Sequence, residues 1–431
     1  MSFWKEKIQA LDSSSLNFWI QKSGLAVIDQ AASSGTVFFL HFMLARWLTQ
    51  IEYGSFAVAY SIFILVQAIH MGLIIEPMII FGSGKYRNNL ANYITVVIYG
   101  HLILAFITGT IIVVFALLLP IKQLPLRYAL VGMGISNPFI LLFHLVRRSY
   151  YIKLDLKKPT IFSLIYFIGM IFMIAGFYVL NILSSFSAFL CLSISALISA
   201  LISMKYTAYG FARIKDNISI REIMKEHYYY GRWASGTLLL NWIPGNIYYM
   251  VLPFFVGLQG TATLRALINF VLPIQHVIGA LNFIFLPVIS KDFAEKNFEG
   301  IDSKVSQYTK IILVTTLGYW IVLGSFGDIL IGLVYKGKYL NYGWLFWFIG
   351  LLPLLSSFAM PRYSTLLAVE RPDKVFFAYL LTAISTLTIG IFLTAYLKLN
   401  GSVAGLLIST FLNCVFVFLI YERHLKIMKA S

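Results

Sequence analysis

The chain has 431 residues, of which 59% are hydrophobic and only 12% charged, and its mean hydropathy is +0.83. Ordinary soluble domains carry about 25% charged residues, so this composition excludes a water-soluble globular protein. Since about 20 mostly apolar residues cross a bilayer, the length accommodates about twelve spans and no sizeable soluble domain. The net charge of +16 requires no nucleic-acid partner, because basic loops beside an anionic leaflet account for it.

Apolar runs bounded by charge, Pro and Gly divide the chain into two halves. The first 24 residues lack the continuous apolar core of a secretory signal and are typical of a cytoplasmic interfacial segment, 1–24. A first lobe, 25–204, then holds predicted helices at 25–45, 54–80, 91–119, 127–151, 160–181 and 185–204. After a polar cytoplasmic linker, 205–231, a second lobe, 232–421, holds predicted helices at 232–257, 262–289, 306–333, 342–366, 375–397 and 401–421. The remaining residues, 422–431, form a predicted cytoplasmic tail.

The basic residues are divided unevenly between the two sides of these spans. If the N-terminus is cytoplasmic, the inner segments hold 26 of the 33 Lys and Arg residues and the outer side receives seven. Cytoplasmic loops of membrane proteins carry such an excess. The sequence therefore predicts a multi-pass protein of the plasma (inner) membrane with both termini cytoplasmic.

The second span of each half ends in a similar way. Pro77 precedes Lys85 in the first half, and Pro287 precedes Lys291 in the second. A repeat of six spans keeps its orientation because six is even, so the halves are related by a pseudo-two-fold axis along the membrane normal. We predict an all-α polytopic membrane protein of two six-helix lobes around a central cavity.

Several short motifs carry a family resemblance. Leu44-Ala45-Arg46-Trp47-Leu48 followed by Glu52-Tyr53-Gly54 resembles the LARWLG-x-x-x-YG signature of polysaccharide-export flippases. These flippases belong to the multidrug/oligosaccharidyl-lipid/polysaccharide exporter superfamily. Further matching pieces are Asp29-Gln30, Leu264-Arg265-Ala266, Pro273, Pro287, Tyr335-Lys336-Gly337-Lys338-Tyr339 and Gly401-Ser402-Val403-Ala404-Gly405. The chain departs from the pattern at Thr49, where the signature has Gly, and at Lys336, which stands ahead of the Gly in the loop after the ninth span.

The resemblance implies a V-shaped, two-lobe transporter that works by alternating access. It would move a polyprenyl-diphosphate-linked oligosaccharide from the inner to the outer leaflet for O-antigen, capsule or exopolysaccharide synthesis. The implied partners are this lipid-linked oligosaccharide, membrane lipids and the polysaccharide polymerase machinery. No cofactor is implied.

Two other functions compete with this interpretation. A drug or metabolite antiporter of the same superfamily would share the fold, although the excess of basic over acidic residues at the outer rim argues against cationic cargo. A membrane glycosyltransferase, polymerase or ligase would need a sizeable external loop with catalytic groups. The predicted outer connections are short and carry neither paired carboxylates nor a metal motif, so we expect no enzyme, no catalytic residue and no metal site.

Ionisable side chains inside spans are functional candidates, because their burial is otherwise costly. Asp29 and Gln30 belong to a polar patch of the first span and are predicted to bind substrate; alternatively, Asp29 only hydrogen-bonds a neighbouring helix. Arg46 and Arg265 stand at outer helix ends, where a guanidinium fork matches a diphosphate. For Arg46, snorkelling or a salt bridge with Glu52 is the alternative.

Further candidates concern coupling and gating. Glu76 precedes Pro77 and is a candidate gate latch, unless it snorkels to the inner surface. His41, His70 and His101 lie in predicted spans, as do His144 and His276, and they either couple protons or hydrogen-bond between helices. Pro244-Gly245 is predicted to break the seventh span and to act as a hinge.

Overall fold

The computed structural model describes residues 13–120, 123–153, 155–206, 219–369 and 371–430, and within them every regular element is a helix. Apolar runs without an alternating pattern form helices because only a helix satisfies all of its own backbone groups in hydrocarbon. The first half contains α1 (Ser13–Trp47), α2 (Gln50–His70), α3 (Glu76–Ser83), α4 (Leu90–Leu118), α5 (Leu124–Ser149), α6 (Lys157–Val179) and α7 (Ser185–Lys205). The second half contains α8 (Ile220–Val256), α9 (Leu258–Asn269), α10 (Leu272–Ala294), α11 (Phe298–Ser325), α12 (Gly327–Tyr335), α13 (Phe346–Ile349), α14 (Leu351–Ala368), α15 (Pro372–Ser385) and α16 (Ile391–Ala430).

The described helices account for the twelve predicted spans. Nine segments are each long and apolar enough to cross a membrane, and α9 with α10 forms one further span bent by 44°. One of the nine, Pro372–His424, contains two predicted spans, because the non-helical backbone of Lys398 separates them. The first span is α1, whose 35 residues begin well before the predicted start at residue 25. The all-α, multi-pass architecture is thus confirmed.

Helix breaks fall at other places than the sequence suggests. The predicted break at Pro244-Gly245 was wrong for this conformation, because α8 is one continuous helix that contains Pro244. Pro244 has no N–H to donate to the Leu240 carbonyl, yet the helix continues to Val256. The break lies instead in the eighth span, between α9 and α10. The proposed hinge role of Pro244 and Gly245 stays a prediction.

Two spans contain a π-helical turn. In the second span, Met71–Ile75 is π-helical and lies between α2 and α3, with Pro77 in the first turn of α3. In the eleventh, Thr386–Gly390 lies between α15 and α16. The first π-turn places its backbone against the second half of the chain.

The two halves pack backbone to backbone at a contact that we call the pivot, formed by Gly72 and Leu73 of the first π-turn and Gly231 and Ser235 of α8. A Cβ on Gly72 would lie 2.6 Å from the Ser235 nitrogen and 2.8 Å from its Cα. A Cβ on Gly231 would lie 2.7 Å from the Cα of Leu73. Only glycine permits this approach, so the pivot depends on both residues.

We predict that Gly72→Ala lowers the stability of the purified protein by about 1–3 kcal/mol, because its methyl group must displace backbone at the pivot. Thermal melting in detergent measures the loss. Gly236→Ala is the matched control, since no atom lies within 4 Å of the added Cβ in α8. Equal melting temperatures for Gly72→Ala and Gly236→Ala would show that the halves do not depend on this close approach.

Candidate functional site

We call the face of the bundle at which α1 begins the inner face and the opposite face the outer face. At the outer face, the two lobes cap each other's helix ends. Arg46, near the end of α1, donates Nη1 to the carbonyls of Leu333 and Val334 in α12, at 2.8 Å each. Lys338 donates Nζ in return to the carbonyls of Arg46 and Leu48, at 2.6 and 2.7 Å. We name this reciprocal contact the outer latch.

The cations of the outer latch are stabilised by the partial negative charge at helix C-termini. The last carbonyls of a helix lack intrahelical donors and carry partial negative charge, which a cation stabilises. Burial, together with the neighbouring Lys336 charge, lowers the pKa of Lys338. The Gln50 amide adds a hydrogen bond of 2.8 Å to the Lys338 carbonyl. The lobes are therefore closed at the outer face.

Arg265 lies behind the outer latch in a nest of tyrosines. Its side chain is 7% exposed, and its guanidinium stands 5.3 Å from the Tyr249 ring and 5.8 Å from the Tyr60 ring. Its Nε has no hydrogen-bond partner among the described residues. Cation–π contacts of this kind stabilise a buried guanidinium in place of a carboxylate.

Between the lobes, on the inner side of the latch, the structure contains a polar cavity of about 360 Å³. Its wall combines the end of α5 with α1, α2 and α8. The lining residues are Gln30, Ser33, Ile64, Gln67, Ala68, Met71, Ile75, His144, Arg147, Arg148, Leu238, Asn241, Trp242 and Asn246. Both lobes thus contribute to one site.

Two further cavities share walls with this one. A cavity of about 220 Å³ adds Tyr60 and Tyr166, and one of about 530 Å³ lies between α1 and α10, against Phe38 and Pro273. Gln30 lines all three. We refer to the three together as the central cavity. Gln30 is exposed although it lies inside a membrane-length helix, so the central cavity is open to its surroundings. Because the outer latch closes the outer face, we call this conformation inner-open.

On the α8 side the lobes stay joined at the inner face. Lys85 donates to Glu222 at 2.8 Å and also to Glu226, and Tyr86 donates to Glu226 at 2.9 Å. These hydrogen bonds raise the pKa of Lys85. The 530 Å³ cavity between α1 and α10 is lined by none of these residues, and we call the α1–α10 side the open side.

Asp29 is held in a buried ion pair with Arg147. The guanidinium donates Nε to Oδ1 at 2.9 Å and Nη2 to Oδ2 at 2.8 Å, and the two side chains are 0% and 2% exposed. Ser163 donates to Oδ1 at 2.5 Å, and the Tyr151 hydroxyl donates to Oδ2. These contacts use both carboxylate oxygens. They agree with the alternative that Asp29 hydrogen-bonds neighbouring helices. A cargo role for Asp29 stays a prediction.

Arg148 differs from its neighbour. It lines the central cavity, its guanidinium stands 5.0 Å from the Tyr151 ring, and none of the ion pairs among the described residues includes it. It therefore offers the cavity a guanidinium that is in no ion pair with a carboxylate of the described residues. Ser33, which accepts from Arg147 at 3.0 Å, lines the same wall.

The remaining predicted residues fall into two groups. Gln30 reaches the central cavity, where its amide donates to Ser34 at 3.2 Å. Arg46 and Arg265 lie at or behind the outer latch, and neither lines the central cavity in this conformation. Glu52 accepts from the backbone of Ser185 at 2.7 Å, and the described ion pairs do not link it to Arg46.

The coupling candidates fall at three separate places in the structure. His41 contacts the Tyr53 hydroxyl at 3.3 Å near Arg265. His70 and His101 form a buried hydrogen bond of 2.9 Å. Glu76 is the half-buried first residue of α3, directly after the π-turn. Their coupling and gating roles stay predictions.

Sequence reasoning missed the two arginines that dominate the site. Arg147 and Arg148 fall inside the predicted span 127–151, yet they counted as inner-loop charges. The usable signal was their position within that span, because an ionisable residue there implies a partner or a cavity. The cavity amides Gln67, Asn241 and Asn246 gave a similar, weaker signal.

Comparison with known proteins places the fold. No family model and no curated protein sequence matches the chain. Among solved structures, an inward-facing multidrug resistance MATE family transporter of the MOP superfamily aligns with a TM-score of 0.77 at 14% identity, covering 94% of this chain and 99% of that chain. An outward-facing structure of such a transporter gives a TM-score of 0.65 at 16% identity, with 96% of each chain covered. A MOP superfamily transporter from Pyrococcus furiosus gives 0.64 at 14% identity, covering 95% of this chain and 97% of that chain.

This chain has the MATE transporter fold. The likeness extends over nearly the whole of both chains, whereas the low identity carries no information on cargo. The two-lobe, twelve-helix architecture predicted from the sequence is therefore confirmed at the level of the fold.

We predict that Asp29→Asn destabilises the protein by about 3–5 kcal/mol, because it leaves Arg147 as an uncompensated buried charge. Asp29→Asn with Arg147→Met should recover most of the loss, since both charges are then absent. Thermal melting in detergent distinguishes the three proteins. If Asp29→Asn melted with the parent but lost transport, the carboxylate would act on cargo or a coupling ion and the structural interpretation would fail.

Proposed function

We propose that this protein is a transporter that flips a polyprenyl-diphosphate-linked oligosaccharide from the inner to the outer leaflet by alternating access. The observation that carries the proposal is the charge of the central cavity. Arg147 and Arg148 line it, Arg147 is already paired with Asp29, and none of its described lining residues is a carboxylate. The unpaired Arg148 suits an anionic cargo.

The rest of the wall suits a sugar chain. A sugar carries many hydroxyls, and each one that enters without a hydrogen-bond partner costs free energy. Gln30, Gln67, Asn241 and Asn246 present amides that both donate and accept, and Trp242 adds an aromatic edge. The cavity therefore replaces water contacts along an oligosaccharide.

The side between α1 and α10 suits the lipid part of such a cargo. The 530 Å³ cavity there has apolar walls such as Ala31, Phe38 and Pro273, next to polar residues at Gln30 and Asn282. A polyprenyl chain gains free energy by staying in an apolar environment while its headgroup enters a polar one. We propose that the cargo enters from the membrane on this side.

A drug or metabolite antiporter is the second candidate, and the fold supports it equally. Two of the structural neighbours are multidrug resistance transporters. A cationic drug would need a carboxylate or an aromatic cage in the cavity, whereas Arg148 repels it. The charge of the cavity thus favours the flippase over an exporter of cations.

The membrane and the orientation of the transporter are proposed from the sequence. We propose that it resides in the plasma (inner) membrane with both termini cytoplasmic, and that it hands its cargo to the polysaccharide polymerase machinery. In this orientation the inner-open cavity faces the leaflet on which the cargo is made. We propose no catalytic role.

The deciding experiment depletes the protein in its host and measures lipid-linked oligosaccharide on each leaflet. We expect accumulation on the inner leaflet and loss of surface polysaccharide. Continued exposure on the outer leaflet with normal polysaccharide would refute the proposal. Export of cationic dyes by the reconstituted protein, without lipid flipping, would select the antiporter instead.

We predict that Arg148→Gln lowers the flipping rate in proteoliposomes by roughly 10- to 150-fold, which corresponds to the loss of a charge-assisted contact of about 1.5–3 kcal/mol. Arg148→Lys should restore part of the rate, because it keeps the charge without the planar fork. Arg221→Gln is the matched control, since Arg221 is exposed in the first turn of α8 and does not line the cavity. Equal rates for Arg148→Gln and Arg221→Gln would remove Arg148 from the binding site.

A further inference from the structure

A separate cavity of about 660 Å³ lies at the outer end of the first lobe. It is formed where α4 ends and where α2, α5 and α7 begin. Its lining residues are Glu52, Leu117, Leu124, Arg127, Tyr128, Val131, Ser184, Ser185 and Phe186. None of them lines the central cavity, so the proposed cargo does not account for this space. Sites for small ligands measure about 300–1,000 Å³, and this cavity falls in that range.

One carboxylate and one guanidinium line this cavity without forming an ion pair. Glu52 and Arg127 are both half-buried, and none of the ion pairs among the described residues includes either of them. Oε2 of Glu52 accepts from the Ser185 backbone at 2.7 Å. Oε1 of Glu52 and the Arg127 guanidinium have no hydrogen-bond partner in the described part of the chain. The cavity therefore offers an anion and a cation to the same occupant.

The wall of the cavity also contains an unsatisfied hydroxyl. Ser185 is 0% exposed, and its Oγ has no hydrogen-bond partner among the described residues. A buried hydroxyl without a partner costs free energy, which a polar occupant can recover. Ser184 and Ser187, by contrast, bond each other in the capping box of α7, so the start of that helix needs no ligand. The wall is thus suited to a polar group.

The rim of the cavity is apolar and exposed. Leu117 and Tyr128 are each 52% exposed, and Leu124 is 38% exposed. Exposed apolar side chains at the ends of membrane-length helices contact lipid, and tyrosines concentrate at the boundary between membrane and water. The cavity therefore lies at the level where phospholipid headgroups meet their acyl chains.

The two charges distinguish between phospholipid headgroups. A phosphate matches the fork of Arg127, and a primary ammonium donates hydrogen bonds to a carboxylate such as Glu52. Phosphatidylethanolamine carries both groups. Phosphatidylglycerol has the phosphate but no cation for Glu52, and the trimethylated ammonium of phosphatidylcholine has no N–H to donate. Of these three lipids, only phosphatidylethanolamine satisfies both charges of the cavity.

We propose that this cavity binds the headgroup of one zwitterionic phospholipid with a primary amine, of the phosphatidylethanolamine class. Arg127 binds the phosphate, and Oε1 of Glu52 accepts from the ammonium. The acyl chains lie along the exposed apolar rim, where they gain free energy by leaving water. The bound lipid joins the start of α2 to the start of α5. The proposal goes beyond the proposed function and does not depend on which cargo is carried.

Native mass spectrometry of the purified full chain in detergent tests the proposal. Dioleoyl phosphatidylethanolamine, phosphatidylglycerol and phosphatidylcholine are added at equal concentrations, and the lipids retained by each protein molecule are counted. We expect the parent to retain one phosphatidylethanolamine in preference to the other two. Glu52→Gln should lower this retention roughly 10-fold, the low end for a hydrogen bond to a charged group, because the cavity is partly exposed. The Gln side chain still accepts from the Ser185 backbone.

Variants of Arg127 test the phosphate contact. Arg127→Gln should lower the retention of phosphatidylethanolamine and phosphatidylglycerol alike, whereas Arg127→Lys keeps the charge and should recover part of it. Lys398→Gln is the matched control, since Lys398 is an exposed basic residue between the last two spans that does not line the cavity. Because Arg127 lies in the first turn of α5 and is half-buried, its variants keep the test decisive if Glu52→Gln fails to fold.

Three results would overturn the proposal. One is equal retention of the three lipids by the parent. Another is a preference for phosphatidylethanolamine that persists in both Glu52→Gln and Arg127→Gln. The third is displacement of the lipid by an equal concentration of water-soluble glycerophosphoethanolamine, which would show that the cavity takes a free zwitterion. None of these results bears on the flippase proposal, because the experiment measures no transport.

Discussion

A cation inside an apolar bundle must be paired, capped, stacked or hydrated, because an isolated charge in hydrocarbon is too costly to persist. This chain uses all four solutions. Arg147 is paired with Asp29, and Arg46 and Lys338 cap helix ends of the opposite lobe. Arg265 stacks on tyrosines, and Arg148 faces the open cavity. Each arrangement fixes a different part of the structure, namely the ion pair of the first lobe, the outer latch, the tyrosine nest and the cavity wall.

The four solutions also differ in how easily they are undone. The Asp29–Arg147 pair is completed by Ser163 and Tyr151, and all four residues belong to the first lobe, so separating the lobes does not require breaking it. The outer latch joins the two lobes through carbonyl acceptors alone. When the lobes separate, water replaces those acceptors at little cost. The structure thus combines a charge held inside one lobe with a reversible contact between lobes, which suits the alternating access that we propose.

The pivot and the latch together explain why the open side lies where it does. Gly72 and Gly231 bring backbones together near the inner half of α8, and the latch closes the outer face. The remaining contact, between α1 and α10, includes the bent eighth span and the 530 Å³ cavity. Opening at the inner face therefore exposes a polar wall and an apolar wall side by side, which suits the cargo that we propose, with a charged head and a lipid tail.

Hydropathy and the division into two halves were sufficient to predict the all-α, multi-pass fold, since a bilayer leaves a chain of this composition no other regular structure. Gln30 in the cavity wall also followed from the sequence, because a polar stripe on an apolar helix must face something polar. The position of Arg148 in the cavity wall did not follow from the sequence, because a basic residue near the end of a span is equally consistent with a loop. The break of the eighth span and the continuity of the seventh depended on packing around Pro273 and Pro244, which a single sequence does not reveal.

The sequence by itself determined how many times the chain crosses the membrane and which residues are costly to bury, because both depend on composition along one helix at a time. Only the tertiary structure decided how each costly residue is satisfied. The partner of Asp29 is 118 residues away and that of Arg46 is 287 residues away. Such pairings arise from lobe packing, which no local pattern encodes. The same holds for the hydrogen bond between His70 and His101, which are 31 residues apart in the sequence.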